Sequence, residues 1–330
     1  MKNAPLVLAI PIALVAATLL HAGEPGPRGY RAELATKVDQ LRAQLQSQGR
    51  TWQVGLNPAM EYNLDQLCGL KPELRQPDFQ AHAEGGRLNF ETMDYEAVRF
   101  PAKYAGWFSS VKNQGQCGSC WAFSTIGNLE GAALKKHGAP QGRVAADGSI
   151  IPSGDITVLS EQQVLSCNPF GYDCNGGWYS FDMLNPANAS QGQGYYAGAV
   201  PAKVFPYVAE GTACSFSTRT TYTPVSQWGY VGDGNSIPSV YAIKAAIYKW
   251  GAVSAGVYAD ESFQAYTGGV FTGTGTGQQC NHAILLVGWD DAKGAWLLKN
   301  SWSAQWGIDG FMWISYGVNS VGTAPAWVLD

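Results

Sequence analysis

Three residue types that together support nucleophilic chemistry stand at separate points of this sequence: cysteine, histidine and asparagine. Cys120 closes a Cys-Gly-Ser-Cys run and precedes residues 121–136, whose pattern predicts a helix. A helix N-terminus stabilises a thiolate, because its free N–H groups and aligned peptide dipoles face the sulfur. His282 and Asn300 follow far downstream, each beside an apolar, strand-like run. A thiol, a base and a group that orients the base form a constellation for covalent catalysis.

The same residues fit other interpretations when taken singly. Two cysteines two residues apart, here Cys117 and Cys120, can form a redox dithiol or half of a zinc site. A histidine in front of an apolar strand is more often structural than catalytic, and a loop glutamine such as Gln114 is ordinarily a surface residue. Agreement with further blocks of sequence is needed to decide.

Several blocks resemble the papain-like cysteine peptidase family and recur in its order. They are QGQCGSCWAF at 114–123, LSEQQVLSC at 159–167, CNGGW at 174–178, FPY at 205–207, NHAILLVGW at 281–289 and KNSWSAQWGIDGFMWI at 299–314. The cysteine block matches a signature of this family. The resemblance covers about two thirds of the chain. It implies a secreted cysteine endopeptidase that hydrolyses peptide bonds through an acyl-enzyme intermediate.

The resemblance assigns roles to four catalytic residues. Cys120 would attack the peptide carbonyl as a thiolate, and His282 would pair with it as an imidazolium and then protonate the leaving amine. Asn300 would orient the imidazole, and the Gln114 amide would donate to the oxyanion. His282 lies 162 residues after Cys120. The family spacing is about 130–150 residues, so surface insertions are expected, and residues 139–157 and 186–201 have loop composition.

A substrate-binding wall follows from the same resemblance. Glycines there would let a peptide backbone pair with the cleft by strand addition. The predicted substrate-binding residues are Gly176, Gly177, Trp178, Tyr179, Gly256, Ala283, Trp302 and Trp306. Small residues at 256 and 283 predict a deep apolar pocket for P2, the second residue before the scissile bond, and hence a preference for bulky hydrophobic P2 side chains. Core packing is the competing interpretation of Trp178.

Seven cysteines, an odd number, suit three bridges and one working thiol in an oxidising compartment. The resemblance implies the bridges Cys117–Cys174 and Cys167–Cys214. The family's usual third bridge begins where Cys280 stands, but no cysteine follows Cys280. Cys280 is therefore either a free thiol two residues from His282 or a partner of Cys68 in the precursor, and both alternatives stay open.

The N-terminal third predicts targeting and inhibition. Residues 1–22 read as a secretory signal peptide for export from the cytoplasm, with an uncleaved anchor as the alternative. Residues 23–90 predict an inhibitory propeptide, with an amphipathic helix at 31–47. TWQVGLN at 51–57 and LCG at 67–69 resemble the cathepsin B proregion, in which Leu-Cys-Gly lies across the cleft. The peptidase domain is predicted for residues 91–330.

The predicted elements favour the α+β class. A helix is expected at 236–250, and strands at 252–258, 283–289, 295–300 and 310–316, so helices cluster early and strands late. The resemblance implies a two-lobed papain-like fold, with a helical left half, an antiparallel β-barrel-like right half and the active site between them. Neither insertion carries the paired histidines of the cathepsin B occluding loop, so carboxydipeptidase activity is not expected.

Composition narrows the function classes. The 330 residues are 46% hydrophobic and carry a net charge of −4, which suits a globular enzyme without a basic footprint for nucleic acid. The expected partners are a protein or peptide substrate and the propeptide as inhibitor, with a monomeric chain, no metal and no cofactor. A silent binding homologue is disfavoured because all four catalytic residues are present. A peptide ligase stays open, and a redox protein would need a reversible dithiol.

Overall fold

The computed structural model describes residues 28–75, 99–155, 158–216, 222–275 and 277–330. The helices in these residues are α1 (Arg28–Ser47), α2 (Leu64–Leu67), α3 (Cys120–Lys136), α4 (Glu161–Cys167), α5 (Val240–Trp250) and α6 (Glu261–Gln264). The strands are β1 (Gln53–Val54), β2 (Lys103–Ala105), β3 (Arg143–Val144), β4 (Ile150–Ile151), β5 (Gln227–Tyr230), β6 (Val253–Val257), β7 (Tyr266–Gly268), β8 (Val270–Phe271), β9 (His282–Asp290), β10 (Ala295–Lys299), β11 (Phe311–Ser315) and β12 (Thr323–Leu329). The predicted signal peptide and the junction between propeptide and peptidase domain lie outside the described residues.

Helix α3 is the axis of the helical half. It begins at Cys120 and ends at Lys136, as the sequence predicts, and it is buried from Cys120 to Leu134. Because α3 is buried on all sides, neighbouring segments must approach it closely. Gly131 permits one such approach, since a Cβ at this position would lie 2.6 Å from the Trp107 carbonyl oxygen. Lys135 and Lys136 lie in the last turn, where their positive charges interact favourably with the helix dipole. Cys120 therefore sits at the N-terminus of a helix that the surrounding protein holds rigidly.

The strand-rich half is one open sheet. Its strands follow the order β5-β12-β6-β9-β10-β11-β8, and β2 adds to β9. The register of β6 against β9 places Gly256 opposite Ala283. The α+β class is confirmed, and the strand-rich half is not a closed barrel, because in the described residues β5 and β8 do not pair. The chain entering β5 instead bonds to the helical half, through the Val225 N–H and the Leu184 carbonyl (3.0 Å).

Residues 28–75, called the N-terminal segment below, pack against the strand-rich half. The amphipathic helix is confirmed as α1, whose residues Val38, Leu41 and Leu45 are buried. Strand β1 pairs with β7, and the Trp52 ring lies 4.5 Å from that of Phe271. None of the helices in the described residues combines the length and apolar character that a membrane span needs.

Local side-chain bonds explain where the predicted elements shift. Helix α5 begins at Val240 rather than 236, because the Asp233 carboxylate accepts the backbone N–H of Ser236 (2.9 Å) and holds a turn there. Helix α4 is capped by Ser160, whose hydroxyl oxygen accepts the Gln163 N–H, while the Gln163 side chain bonds Gly198 and Val200. The first insertion forms the β3–β4 hairpin, and the second begins with a 3-10 helix, Pro186–Gln191.

Candidate active site

Cys120 and His282 meet where the two halves of the molecule join. Cys120 is the first residue of α3, and His282 is the first residue of β9; both are fully buried. The Cys120 sulfur accepts the backbone N–H of Ala283 at 3.4 Å. The residue after His282 therefore touches the thiol directly, and folding brings the two predicted catalytic groups to one point.

The imidazole of His282 is held from its far side. Its Nε2 lies 2.8 Å from Asn300 Oδ1, and the Trp302 ring covers it with a centroid separation of 4.5 Å. Ser301 N–H also donates to Asn300 Oδ1 at 2.8 Å, so the amide orientation is fixed. Within the described residues, His282 Nδ1 has no hydrogen-bond partner. The Leu67 backbone, which lies in the cleft, also acts on the imidazole and raises its pKa against the larger effect of desolvation, so the unbonded nitrogen faces the cleft, where it can exchange a proton.

Gln114 is oriented by a residue that the sequence analysis missed. The Ser301 hydroxyl donates to Gln114 Oε1 at 2.7 Å, and the Gln114 N–H donates to the Ser301 carbonyl at 2.9 Å. With its oxygen occupied, the amide turns its NH₂ group to the Cys117 carbonyl (2.8 Å) and to the Leu67 carbonyl (2.9 Å). The amide donor thus faces a peptide carbonyl in the cleft. Ser301 lies in the KNSW block, but nothing in the sequence marks its hydroxyl.

The N-terminal segment crosses this site as an extended strand. Gly69 N–H donates to the Cys120 sulfur at 3.3 Å, and Leu70 N–H donates to the Asn281 carbonyl at 2.9 Å. Gly177 pairs with the segment on the other side: its N–H donates to Gly69 O (2.9 Å), and its carbonyl accepts from Lys71 N–H (3.1 Å). This is strand addition, with main-chain bonds to both walls of the cleft.

The predicted P2 pocket is occupied by Leu70. A Cβ built on Gly256 would lie 3.2 Å from the Leu70 side chain and 2.9 Å from the Cys280 sulfur. Trp178, Tyr179, Cys280 and Ala283 belong to the same buried cluster as Leu70. The Cys280 contact was not foreseen. Trp178 is held in this wall, because its indole N–H donates to the Tyr230 hydroxyl (2.9 Å).

The remaining predicted contacts lie at the ends of this strand. Lys71 covers Gly176, since a Cβ there would lie 2.5 Å from the Lys71 side chain. Trp306 is fully buried behind Trp302, with 5.5 Å between ring centroids, and its N–H donates to the Gln264 carbonyl. A substrate contact by Trp306 stays a prediction, and the position of this residue favours support of Trp302.

Burial keeps the thiol and the imidazole neutral. Desolvation raises the pKa of Cys120 to about 11, against the N–H donors of Ala283 and Gly69 that favour the thiolate. Desolvation lowers the pKa of His282 to about 4, against the bond to Asn300 that favours the imidazolium. At neutral pH the covered site therefore contains a thiol and a neutral imidazole rather than an ion pair.

Both predicted disulfides are present in the structure. Cys117 is bonded to Cys174 and Cys167 to Cys214, which joins the loop before Cys120 to the glycine wall. Because Cys117 is occupied, it does not form a dithiol with Cys120. The cysteines that remain free in the described residues are Cys68, Cys120 and Cys280, all of them buried. Of the two alternatives for Cys280, the structure has the free thiol and not the bridge to Cys68.

A buried charge cluster lies behind the site and was also missed. Lys112 Nζ contacts Glu130 (2.6 Å) and Glu161 (2.5 Å), and Lys299 Nζ donates to Ser109 (3.0 Å). Glu130 is fully buried and also accepts the Leu159 N–H at 2.8 Å. Helices α3 and α4 and strand β10 each contribute to the cluster, so it fixes the helical half to the strand that leads into Asn300.

We expect Glu130→Gln to destabilise the protein by about 3 kcal/mol, because removing one partner of a buried ion pair leaves the other poorly compensated. Urea unfolding in a Cys120→Ala background measures this effect without self-digestion. Glu210→Gln, which changes an exposed glutamate, is the matched control. Equal unfolding midpoints for the two variants would contradict a structural role for the cluster.

Known proteins match both the sequence and the fold. The model of the papain family cysteine proteases matches residues 98–328. Ananain from Ananas comosus is 32% identical over 242 residues, which are 71% of this chain and 60% of ananain. Cathepsin K from Mus musculus is 31% identical over 267 residues, 80% of this chain and 67% of that protein. The match thus spans less than two thirds of the length of ananain.

Solved structures agree with the two-lobed architecture. Digestive procathepsin L 3 from Tenebrio molitor larval midgut superposes with a TM-score of 0.67 at 25% identity, covering 91% of this chain and 90% of that one. Bromelain from Ananas comosus in complex with the E64 inhibitor gives 0.55 at 28% identity, covering 70% and 99%. The cathepsin B character of the N-terminal segment stays a prediction. The family match and the shared fold together establish that the chain belongs to the papain family of cysteine proteases.

Proposed function

We propose that the chain is a secreted cysteine endopeptidase made as an inhibited precursor. Residues 1–22 are its signal peptide, 23–90 its propeptide and 91–330 its peptidase domain. The observation that carries the proposal is the 3.3 Å contact between the Gly69 N–H and the Cys120 sulfur, because it seats a peptide main chain on the nucleophile. A site that binds a peptide in this way is suited to peptide substrates.

The contacts in the cleft support a division of labour. Cys120 attacks the substrate carbonyl carbon, and the carbonyl oxygen takes the place beside Gln114 that Leu67 O occupies in the precursor. His282, held at Nε2 by Asn300, uses Nδ1 to take the thiol proton and to deliver it to the leaving amine. Water then attacks the acyl-enzyme, and the same nitrogen accepts the proton of the water.

The direction of the contacts explains why the propeptide survives in the cleft. The sulfur meets the Gly69 N–H, a hydrogen-bond donor, instead of a carbonyl carbon placed for attack. The bridge between Leu70 and Gly177 is parallel, which fixes the chain direction of the segment. Since burial also keeps the thiol protonated by raising its pKa, both its orientation and its charge state prevent cleavage.

Removing the propeptide should change how the reactivity of Cys120 depends on pH. The thiolate is the reactive form, and a pKa of about 11 leaves about 10⁻⁴ of the thiol ionised at pH 7. Alkylation of Cys120 by iodoacetamide in the precursor should therefore rise about tenfold per pH unit from pH 6 to 9. In the processed enzyme, Cys120 is hydrated and paired with His282, so its alkylation should be fast across this pH range. Mass spectrometry of the Cys120 peptide measures both rates, and equal rates at pH 7 would refute the inhibited precursor.

The P2 preference is proposed from the pocket that Leu70 fills. We expect Gly256→Val to lower kcat/KM about 10–200-fold for substrates with P2 phenylalanine or leucine, relative to P2 alanine, because the added side chain occupies the pocket. A Cβ at this position already lies 2.9 Å from the Cys280 sulfur. Gly211→Val, where a Cβ meets nothing within 4 Å, is the control. An unchanged ratio between the substrates would place the P2 pocket elsewhere.

A further inference from the structure

Cys68 has no part in the proposed mechanism, yet the fold holds it beside the nucleophile. Its backbone N–H donates to the Leu64 carbonyl at 2.7 Å, which ends helix α2, and its side chain is buried. The next residue, Gly69, presses on the loop before Cys120, since a Cβ on Gly69 would lie 1.6 Å from the Gly118 carbonyl oxygen. The backbone on both sides of Cys68 is therefore anchored.

The bond lengths of the chain set how far Cys68 is from the nucleophile. Gly69 N lies 3.3 Å from the Cys120 sulfur. The Cα of Cys68 lies about 2.4 Å from that nitrogen, so it is at most about 5.7 Å from the sulfur. The Cys120 sulfur lies about 2.8 Å from its own Cα, so the two Cα atoms are at most about 8.5 Å apart, a limit that includes the Cα–Cα separation of a disulfide, about 4.4–6.8 Å. Forming the bond requires the Cys68 side chain to turn toward the Cys120 sulfur.

We propose that Cys68 and Cys120 form a reversible disulfide in the precursor, which blocks the nucleophile covalently and tethers the propeptide. The proposal rests on the proposed function for the identity of the nucleophile. It adds a covalent site to a contact that is otherwise non-covalent.

The chemistry is thiol–disulfide exchange with a small-molecule disulfide of the oxidising compartment, such as oxidised glutathione. One thiolate of the pair attacks the disulfide and releases one thiol. The second thiolate then attacks the mixed disulfide and releases the other thiol. The two cysteines lose two electrons and two protons in total, and the small disulfide is reduced to two thiols.

Cys280 is the competing thiol in the closed structure, because it belongs to the same hydrophobic cluster as Cys120. It lies against Gly256, whereas Cys68 belongs to another cluster and only its neighbour Gly69 contacts the Cys120 sulfur. Burial raises the pKa of Cys68, and the nearby Cys120 raises it further. Exchange is therefore slow once the segment is docked. The bond forms during folding or a transient opening, and a reductant reaches it through the same opening.

The test uses the full-length precursor, incubated with oxidised glutathione at pH 8, then unfolded in urea, capped with iodoacetamide and digested without reduction. Mass spectrometry should find a peptide that links Cys68 to Cys120, with Cys280 alkylated and both structural bridges intact. Dithiothreitol should remove the link. After cleavage of the 76–98 region, the propeptide fragment should stay attached on a non-reducing gel and separate on reduction.

Two variants make the result decisive. Cys68→Ser should lose the linked peptide and give Cys120 as a glutathione adduct, whereas Cys280→Ser should keep the link. The proposal is overturned if wild-type Cys120 appears only as a glutathione adduct or a free thiol, or if either cysteine links to Cys280. Formation of the Cys68–Cys120 disulfide does not require peptidase activity, so the two proposals are tested separately. A linked precursor that stays inactive after reduction and processing would refute the endopeptidase and leave the disulfide standing.

Discussion

Replacing Cys120 with alanine is expected to lower peptidase activity about 10⁵–10⁶-fold, the effect of deleting the nucleophile from a cooperative catalytic unit. Alanine has no group that can form the acyl-enzyme, while Gln114 and the glycine wall remain to bind the substrate. The fold should survive, because the N–H groups of Gly69 and Ala283 give up only long hydrogen bonds to sulfur, of 3.3 and 3.4 Å. Hydrolysis of a fluorogenic peptide by protein processed with an added protease measures the change.

The matched control for this variant is Cys68→Ala. It also removes a buried free thiol, but one that lies in the segment removed by processing. The processed control enzyme should hydrolyse the peptide at the wild-type rate. If processed Cys120→Ala cleaves the peptide as fast as this control, the thiol assignment and the acyl-enzyme mechanism both fail.

Replacing Gly69 with valine is expected to release the inhibited precursor. A Cβ at this position would lie 1.6 Å from the Gly118 carbonyl oxygen, so the segment must lift from the loop. Lifting breaks the hydrogen bonds of Gly69 with Cys120 and Gly177. Overpacking costs about 1–3 kcal/mol and each broken hydrogen bond about 0.5–1.5 kcal/mol. The sum is about 2–6 kcal/mol, and its midpoint of about 4 kcal/mol weakens the closed state about 10³-fold.

Labelling of Cys120 in the intact precursor by an epoxide probe reports this opening. The rate for Gly69→Val should rise about 10²-fold or more over wild type at pH 7. Ala43→Val adds bulk to an exposed position of α1 and should label at the wild-type rate. A Gly69→Val precursor that labels no faster than this control would show that the contact at Gly69 does not hold the cleft closed.

Local sequence patterns predicted part of the fold. The apolar stripe of residues 31–47 predicted α1, and the run after Cys120 predicted α3, because helix periodicity is written in neighbouring residues. Strand β12 was missed: Thr323–Leu329 contains Pro325 and lacks alternation, and it becomes a strand because β5 and β6 flank it. Whether the barrel-like sheet closes could not be predicted either, since closure depends on which sheet edges meet in space.

The sequence by itself determined the identities and the order of the reactive groups: a cysteine at a helix start, a histidine at a strand start and an asparagine after a strand. Their motif blocks also identified the family, since these short strings are local. Only the tertiary structure decided how the groups are set. It placed Ser301 on Gln114, Leu70 against Gly256 and Gly69 on the Cys120 sulfur. These contacts join residues far apart along the chain, and their burial, which keeps Cys120 and His282 neutral by shifting the pKa of each, exists only when both halves and the N-terminal segment are folded together.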